Sequence, residues 1–354
     1  MIDIQVNYSG LIFNAKYPIL LDLIGLSPYN KSKDSLIKLR REIIKMTKLK
    51  YIDLFAGIGG IRLGFSDSNT ECVFSSEWNK FAQKTYQANF HELPAGDITK
   101  IQAVDIPNFN VLLAGFPCQP FSAIGKREGF ANQTQGTLFF DIVRILKYHQ
   151  PDAFLLENVP GLLTMEHGKT FKTMIAALVE IGYHVHYQVL QASDFDLAQS
   201  RERIIIVGFR KDLDDSDFTF PTGNKNNHVP VKDILEYDPQ GYSISKKLQT
   251  NYLFKKQDGK PYVIDHNSTG LAHTLNASYH KVQRLTGTFV REGTTGLRLL
   301  SELECKRLQG FPENFQFPVS RTQMYQQLGN SVAVPMIKAV SEPLKAVLRQ
   351  NQVY

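Results

Sequence analysis

The chain has 354 residues, 43% of them hydrophobic and 21% charged, with a formal net charge of +6. This describes one large domain plus a smaller one with ordinary cores, and excludes a disordered or fibrous chain. No apolar run is long enough to span a bilayer and no signal peptide opens the sequence, so a cytoplasmic protein without membrane contact is expected. The three cysteines, Cys72, Cys118 and Cys305, are too few and too scattered for a disulfide framework or a zinc ribbon, and no metal is expected. The modest positive charge permits a polyanionic partner without demanding one.

Residues 1–48 stand apart. A loop around Pro28 is followed at residues 35–44 by helical apolar spacing with a basic face, which reads as a helical cap or as a small module contacting DNA or protein. From Lys50 to Phe209 short apolar strands alternate with amphipathic helices. The strands are expected at residues 51–55, 72–76, 111–114, 153–157 and 204–209, and the helices at 81–89, 138–149 and 170–181. Such alternation predicts an α/β fold with a doubly wound, mostly parallel sheet, spanning residues 49–224. Residues 225–295 turn rich in Asn, Gly, Lys, Ser and Thr with interspersed tyrosines, predicting a smaller, loop-rich, β-containing domain. Helical spacing returns at 301–308 and 336–348, so residues 296–354 rejoin the large domain.

The first strand runs into Phe55-Ala56-Gly57-Ile58-Gly59-Gly60, a glycine turn that lets a ligand approach the backbone. It is not the dinucleotide fingerprint, because the third glycine would fall at Arg62. Glu77 ends the next strand 20 residues after Gly57, where a carboxylate can take both hydroxyls of a ribose. Beside it Trp78, the only tryptophan, offers a flat face to a purine. Asp97, followed by Ile98, could accept from an exocyclic amine.

A second group of residues carries chemistry. Val111 to Gly115 is a buried strand that ends in Phe116-Pro117-Cys118-Gln119-Pro120-Phe121-Ser122, which sets a thiol on a Pro-bounded turn beyond a strand end. Glu157 closes another apolar strand, a setting that resists ionisation of a carboxyl. Gln199, Arg201 and Arg203 alternate at the entrance to a third strand, giving a fork of donors for a carboxylate, a phosphate or a base edge. Asn330, just before the last helix, could return to the sheet.

These motifs, with Arg307-Leu308-Gln309-Gly310-Phe311-Pro312 and Gly329-Asn330-Ser331-Val332, occur in the order seen in DNA (cytosine-5)-methyltransferases of the bacterial restriction–modification type, which the chain resembles over residues 50–210 and 297–340. The resemblance implies a Rossmann-like S-adenosylmethionine-dependent fold and assigns catalysis to Cys118, Glu157, Arg201 and Arg203. It places S-adenosyl-L-methionine against Phe55, Gly57, Gly59, Glu77, Trp78, Asp97, Ile98, Pro117, Leu138 and Asn330. It gives substrate contacts to Gln119, Ser122 and Thr274, and makes residues 225–295 the target recognition domain. It further implies a monomer acting on double-stranded DNA, with a restriction endonuclease sharing the target without a stable complex. One departure is Gln135, where the family has Arg. The Cys-Phe-Thr signature of the tRNA-modifying relatives does not occur.

Overall fold

Six strands build the sheet that carries the site: β3 (Leu49–Leu54), β4 (Thr70–Ser76), β5 (Val111–Gly115), β6 (Ala153–Asn158), β7 (Tyr183–Gln191) and β8 (Glu202–Arg210), in the order β4-β3-β5-β6-β8-β7. The computed structural model describes residues 3–7, 10–14, 48–117, 138–226 and 228–354. Parallel pairing joins β4, β3, β5 and β6, while β8 runs antiparallel to both β6 and β7. The sheet is thus mostly parallel. β8 begins where β6 ends, so its first residues lie at the same edge as the carboxyl ends of the parallel strands.

The expected strands are present, each within one to two residues at either end. β7 was not expected. Its sequence, Tyr-His-Val-His-Tyr-Gln-Val-Leu-Gln, is an edge strand with exposed Tyr187 and Val189 and lacks the continuous apolar run of a doubly covered strand.

Helices α1 (Gly60–Phe65), α2 (Lys80–Phe90), α3 (Leu138–His149) and α4 (Lys169–Glu180) follow strands, and α5 (Glu302–Gln309), α6 (Arg321–Asn330) and α7 (Val334–Gln350) close the chain. Ile142, Ile145 and Leu146 of α3 and Met174 and Leu178 of α4 pack on Ile52, Leu112, Phe154 and Ile206 of the sheet. Each fully buried aliphatic chain there contributes about 1.5–3 kcal/mol relative to exposure. α7 returns to α1: Ser341 Oγ donates to the Gly64 carbonyl at 3.3 Å, and the buried Lys345 Nζ reaches Asp67 Oδ2 at 2.8 Å. Among the described residues no helix is long and apolar enough to cross a membrane.

Residues 225–295 contain little regular structure. β9 (Tyr262–Ile264) and β10 (Thr288–Val290) form a short parallel pair, and Ile244, Leu253, Phe289 and Leu297 form a small core of their own. A buried ion pair ties this region to α5: Arg298 donates to both oxygens of Glu304 at 2.8 Å and to Glu292 at 2.8 Å. Glu304 also completes a capping box with Ser301.

Contacts divide the chain into two units, residues 1–48 (with Tyr354) and 49–353. In the first, β1 (Asp3–Asn7) and β2 (Gly10–Asn14) pair antiparallel, with Asp3 opposite Asn14. This hairpin replaces part of the extension expected to be helical; the helix expected at 35–44 lies outside the described residues. Ile4 and Val6, then Leu11 and Phe13, alternate with period two, the signal of a strand.

Candidate active site

The site lies at the carboxyl ends of β3, β4, β5 and β6, around the point where the chain, having added β4 on one side of β3, adds β5 on the other. A cleft of about 910 Å³ opens there.

One end of the cleft is built by the turn after β3. Phe55 adopts φ +53° and Gly57 φ +56°, left-handed conformations that bend the chain sharply. A Cβ built on Gly57 would meet only the Phe55 carbonyl, at 4.0 Å, so the cleft side of this turn is open. The turn is held by Glu77, whose Oε2 accepts from the Gly57 N–H at 2.8 Å and whose Oε1 accepts from the Asn79 N–H at 2.7 Å. Burial pushes the Glu77 carboxyl above its usual range, and the backbone N–H donors oppose that shift. A carboxylate accepts about four bonds, so Glu77 retains acceptor capacity for a ligand hydroxyl beyond its backbone donors. Trp78 stands 75% exposed at the rim. Asp97 caps a short turn, accepting from the Thr99 hydroxyl at 2.8 Å and the Thr99 N–H at 3.1 Å, and these bonds hold its carboxyl below the usual range. Ile98 and Leu138 complete this end.

The other end is built by β5, β6 and β8. The register sets Gly115 of β5 beside Glu157 of β6. The antiparallel β8 then delivers Arg203 to Glu157, with Nε at 2.9 Å from Oε1. Both side chains are largely buried. Burial raises the Glu157 carboxyl above its usual range, while the charges of Arg203 and Arg201 pull it back. Asn158 fixes the neighbouring turn: its side-chain amide donates to the Phe116 carbonyl at 3.0 Å, holding the backbone that leads through Pro117. Pro117, Glu157, Asn158 and Arg203 all line the cleft, as does Asn330 at the end of α6.

Eleven of the expected residues therefore meet in one cleft: Phe55, Gly57, Glu77, Trp78, Asp97, Ile98, Pro117, Leu138, Glu157, Arg203 and Asn330. Cys118, Gln119 and Ser122, with Gln135, lie outside the described residues, starting one residue after the cleft wall ends at Pro117. Gly59 does not line the cleft. It starts α1 at φ +82° with its Cα against Phe90, where any side chain would overlap the ring. Arg201 does not reach the cleft either: it is 1% exposed and its guanidinium bonds backbone carbonyls behind the wall. Thr274 is half-buried, its hydroxyl donating to the Ser200 carbonyl rather than facing the cleft.

Sequence reasoning missed Asn158, Ser331, and the stretch Ala277, Ser278, His280 and Lys281, all of which line the cleft. Asn158 could have been found as the polar residue closing a buried strand beside Glu157. The 277–281 stretch carries no local signal, since only the folded chain brings it to the sheet.

A mostly parallel sheet with an acid, Glu77, after β4 and a buried carboxyl–guanidinium pair three strands away at β6 and β8 is the arrangement expected of a methyltransferase of the class the sequence resembles. The fold is shared with solved structures of the Entamoeba histolytica methyltransferase EhMeth (TM-score 0.69, 22% identity, covering 85% of this chain and 99% of that one). It is shared too with a putative DNA modification methyltransferase from an E. coli prophage (TM-score 0.65, 22% identity, 85% and 100%). Residues 49–346 match the family model for C-5 cytosine-specific DNA methylase. The Type II methyltransferase M.BsuFI of Bacillus subtilis is 61% identical over 319 residues, covering 90% of this chain and 77% of that protein. M.MspI of Moraxella sp is 51% identical over 300 residues, covering 85% and 71%. The chain belongs to the C-5 cytosine-specific DNA methylase family, and is a DNA (cytosine-5)-methyltransferase of the bacterial restriction–modification type.

Proposed function

We propose that the protein transfers a methyl group from S-adenosyl-L-methionine to carbon 5 of a flipped-out cytosine in a short double-stranded DNA sequence, through a covalent bond from Cys118 to carbon 6, and so protects host DNA from a cognate endonuclease. The observation that carries this reading is the buried Glu157–Arg203 pair, 2.9 Å apart, in the same cleft as the Glu77 end and bordering the turn into Cys118.

The residues present fit the donor. The open turn at Gly57 admits a ligand against backbone, Glu77 has acceptor capacity for a ribose, and Trp78 offers a face to adenine. When bound, the donor supplies an electrophilic methyl group. Carbon 5 of cytosine is too weak a nucleophile to take it unaided, so the protein must raise the electron density of the ring. Addition of the Cys118 thiolate to carbon 6 does this. Glu157 holds a proton at ring nitrogen 3 as negative charge develops there, and Arg203 binds the carbonyl at carbon 2 while orienting the Glu157 carboxyl. After methylation, loss of the carbon 5 proton lets the carbon 6–sulfur bond break and restores the thiolate. Carbon 6 cannot be reached within a stacked duplex, so the base must leave the helix.

Replacing Trp78 with Ala is expected to weaken S-adenosylhomocysteine binding by roughly 5- to 150-fold, the equivalent of losing a base–aromatic stack of about 1–3 kcal/mol. DNA binding without the cofactor should be unchanged. Calorimetry showing wild-type affinity for the analogue would remove Trp78 from the donor site.

Residues 225–295 are read as the part that sets sequence specificity, supported by their scarcity of regular structure and their change of composition between the cofactor and catalytic motifs. Exchanging this segment for that of a relative should move the methylated sequence, read by bisulfite sequencing of host DNA. An active chimera with the original target would refute the assignment.

A further inference from the structure

Residues 198–201, at the entrance to β8, hold together two segments that sit far apart in the chain. Gln199 and Arg201 leave the extended backbone on the same side, and both are buried. Arg201 Nη1 donates to the Leu275 carbonyl at 2.9 Å and to the Gly329 carbonyl at 3.5 Å, while Nη2 donates to the carbonyls of Gly329, at 3.4 Å, and Ser331. Gln199 receives the Leu275 N–H at 3.3 Å and donates to Gln309 Oε1 at 3.0 Å and to the Leu308 carbonyl. The Ser200 N–H donates to Ala272 at 2.8 Å, and the Ala272 N–H donates to Ala198 at 2.8 Å.

The two segments so joined have different neighbours. Gly329, Asn330 and Ser331 form one wall of the cleft at the end of α6. Leu275 leads directly into Ala277 and Ser278, which form another wall. Gly329 lies against the backbone of Asn276 and Ala277 so closely that any Cβ would overlap it. Around Leu275 the chain has little regular structure beyond a three-residue turn at Tyr279–Lys281. Leu275 and Tyr279 are buried, the His273 N–H donates to Thr288 Oγ1 at 2.9 Å, and the Arg201 and Gln199 bonds are the ones that hold the Leu275 backbone itself. The carbonyls that Arg201 collects at Gly329 and Ser331 lie at the electronegative end of α6, where a cation is favoured.

We infer that Arg201 is a positioning residue that couples the two ligands of the enzyme: a donor seated against Asn330 and Ser331 steadies the Gly329 and Ser331 carbonyls, and the shared guanidinium passes that order to Leu275 and the 272–281 segment that faces DNA. Donor binding then raises DNA affinity, and DNA binding raises donor affinity by the same factor. The inference rests on the reading above that the cleft takes the donor and that the 225–295 region meets DNA.

The test uses the full chain, S-adenosylhomocysteine as a non-reacting probe, and a duplex carrying the site identified by bisulfite sequencing. Dissociation constants are measured for each ligand alone and in the presence of the other. The wild type is expected to show coupling of about fivefold or more. Arg201→Lys keeps the charge near Glu157 but loses the two-pronged reach. It is expected to bring the coupling to within about twofold of unity, with each binary constant changed less than about threefold. Wild-type coupling retained in R201K, or no coupling in the wild type, would overturn the inference. Should R201K not fold, hydrogen exchange on the wild type decides: the analogue alone should slow exchange of amides in 272–276, which do not line the cleft, and unchanged exchange there contradicts the inference. A wild type that binds no S-adenosylhomocysteine would instead overturn the functional reading beneath it.

Discussion

Cys118→Ser is expected to abolish the covalent complex with DNA and to lower turnover by several orders of magnitude. A serine hydroxyl is scarcely ionised at neutral pH and is a far weaker nucleophile than a thiolate. The complex can be trapped with 5-fluorocytosine at the target. Fluorine takes the place of the proton that must leave carbon 5, so the carbon 6–sulfur bond, once formed and followed by methyl transfer, has no route to break. The wild type should therefore remain on the DNA through denaturing electrophoresis, and only when S-adenosylmethionine is supplied. The other two thiols serve as controls. Cys72 sits in β4, where burial pushes its thiol up to about 12, and Cys305 is buried in α5 with its thiol raised well above the usual range. Neither offers a thiolate at neutral pH. Cys72→Ser and Cys305→Ser should keep the trapped complex; an adduct that survives Cys118→Ser would refute the assignment of the nucleophile.

Glu157→Gln is expected to lower kcat by roughly 10²–10⁴-fold, the range for losing a positioned acid or base. An amide can donate a hydrogen bond to ring nitrogen 3 but cannot hold and return a proton there. The pH profile carries the sign. Burial keeps the Glu157 carboxyl protonated to higher pH than an ordinary glutamate, with Arg203 opposing that shift. If the protonated form is the working acid, wild-type activity falls as pH rises through its raised value, and that alkaline limb should vanish in E157Q. Cofactor binding reports a separate end of the cleft, and S-adenosylhomocysteine affinity should stay within about twofold of wild type. An E157Q enzyme with wild-type kcat would remove Glu157 from the chemistry.

Much of this was legible in the sequence because the buried strands announce themselves. β5 and β6 open as continuous apolar runs and β3 is buried at all but Lys50; they lead to residues of the cleft, Phe55 just after β3, Pro117 just after β5 and Glu157 near the end of β6. Edge strand β7 was not legible, because half its residues meet solvent and its polar histidines and glutamines interrupt the run. α6 was missed for a related reason: Met324, Tyr325 and Leu328 are its only large apolar residues, and Gly329 near its end is a poor helix former, kept where the backbone of Asn276 and Ala277 leaves no room for a side chain.

The alternation of Gln199, Arg201 and Arg203 reads in sequence as one fork of donors, yet the three face different partners. Arg203 lies at the first pairs of β8 and turns to Glu157, whereas Arg201, two residues earlier, sinks among carbonyls from residues 275, 329 and 331. Nothing in the local sequence distinguishes the two arginines. The difference comes from the return of α6 to the sheet, a contact between residues more than 120 positions apart. The same long-range packing brings Ala277, Ser278, His280 and Lys281 to the cleft.

The most direct measurement is to incubate the purified protein with unmethylated duplex DNA and isotopically labelled S-adenosylmethionine, digest the DNA to nucleosides and identify the labelled product by mass spectrometry. The account predicts 5-methyl-2′-deoxycytidine as the labelled nucleoside, lost with Cys118→Ser. Label on an exocyclic nitrogen of cytosine or adenine, or unlabelled DNA from a protein that binds both ligands, would contradict it.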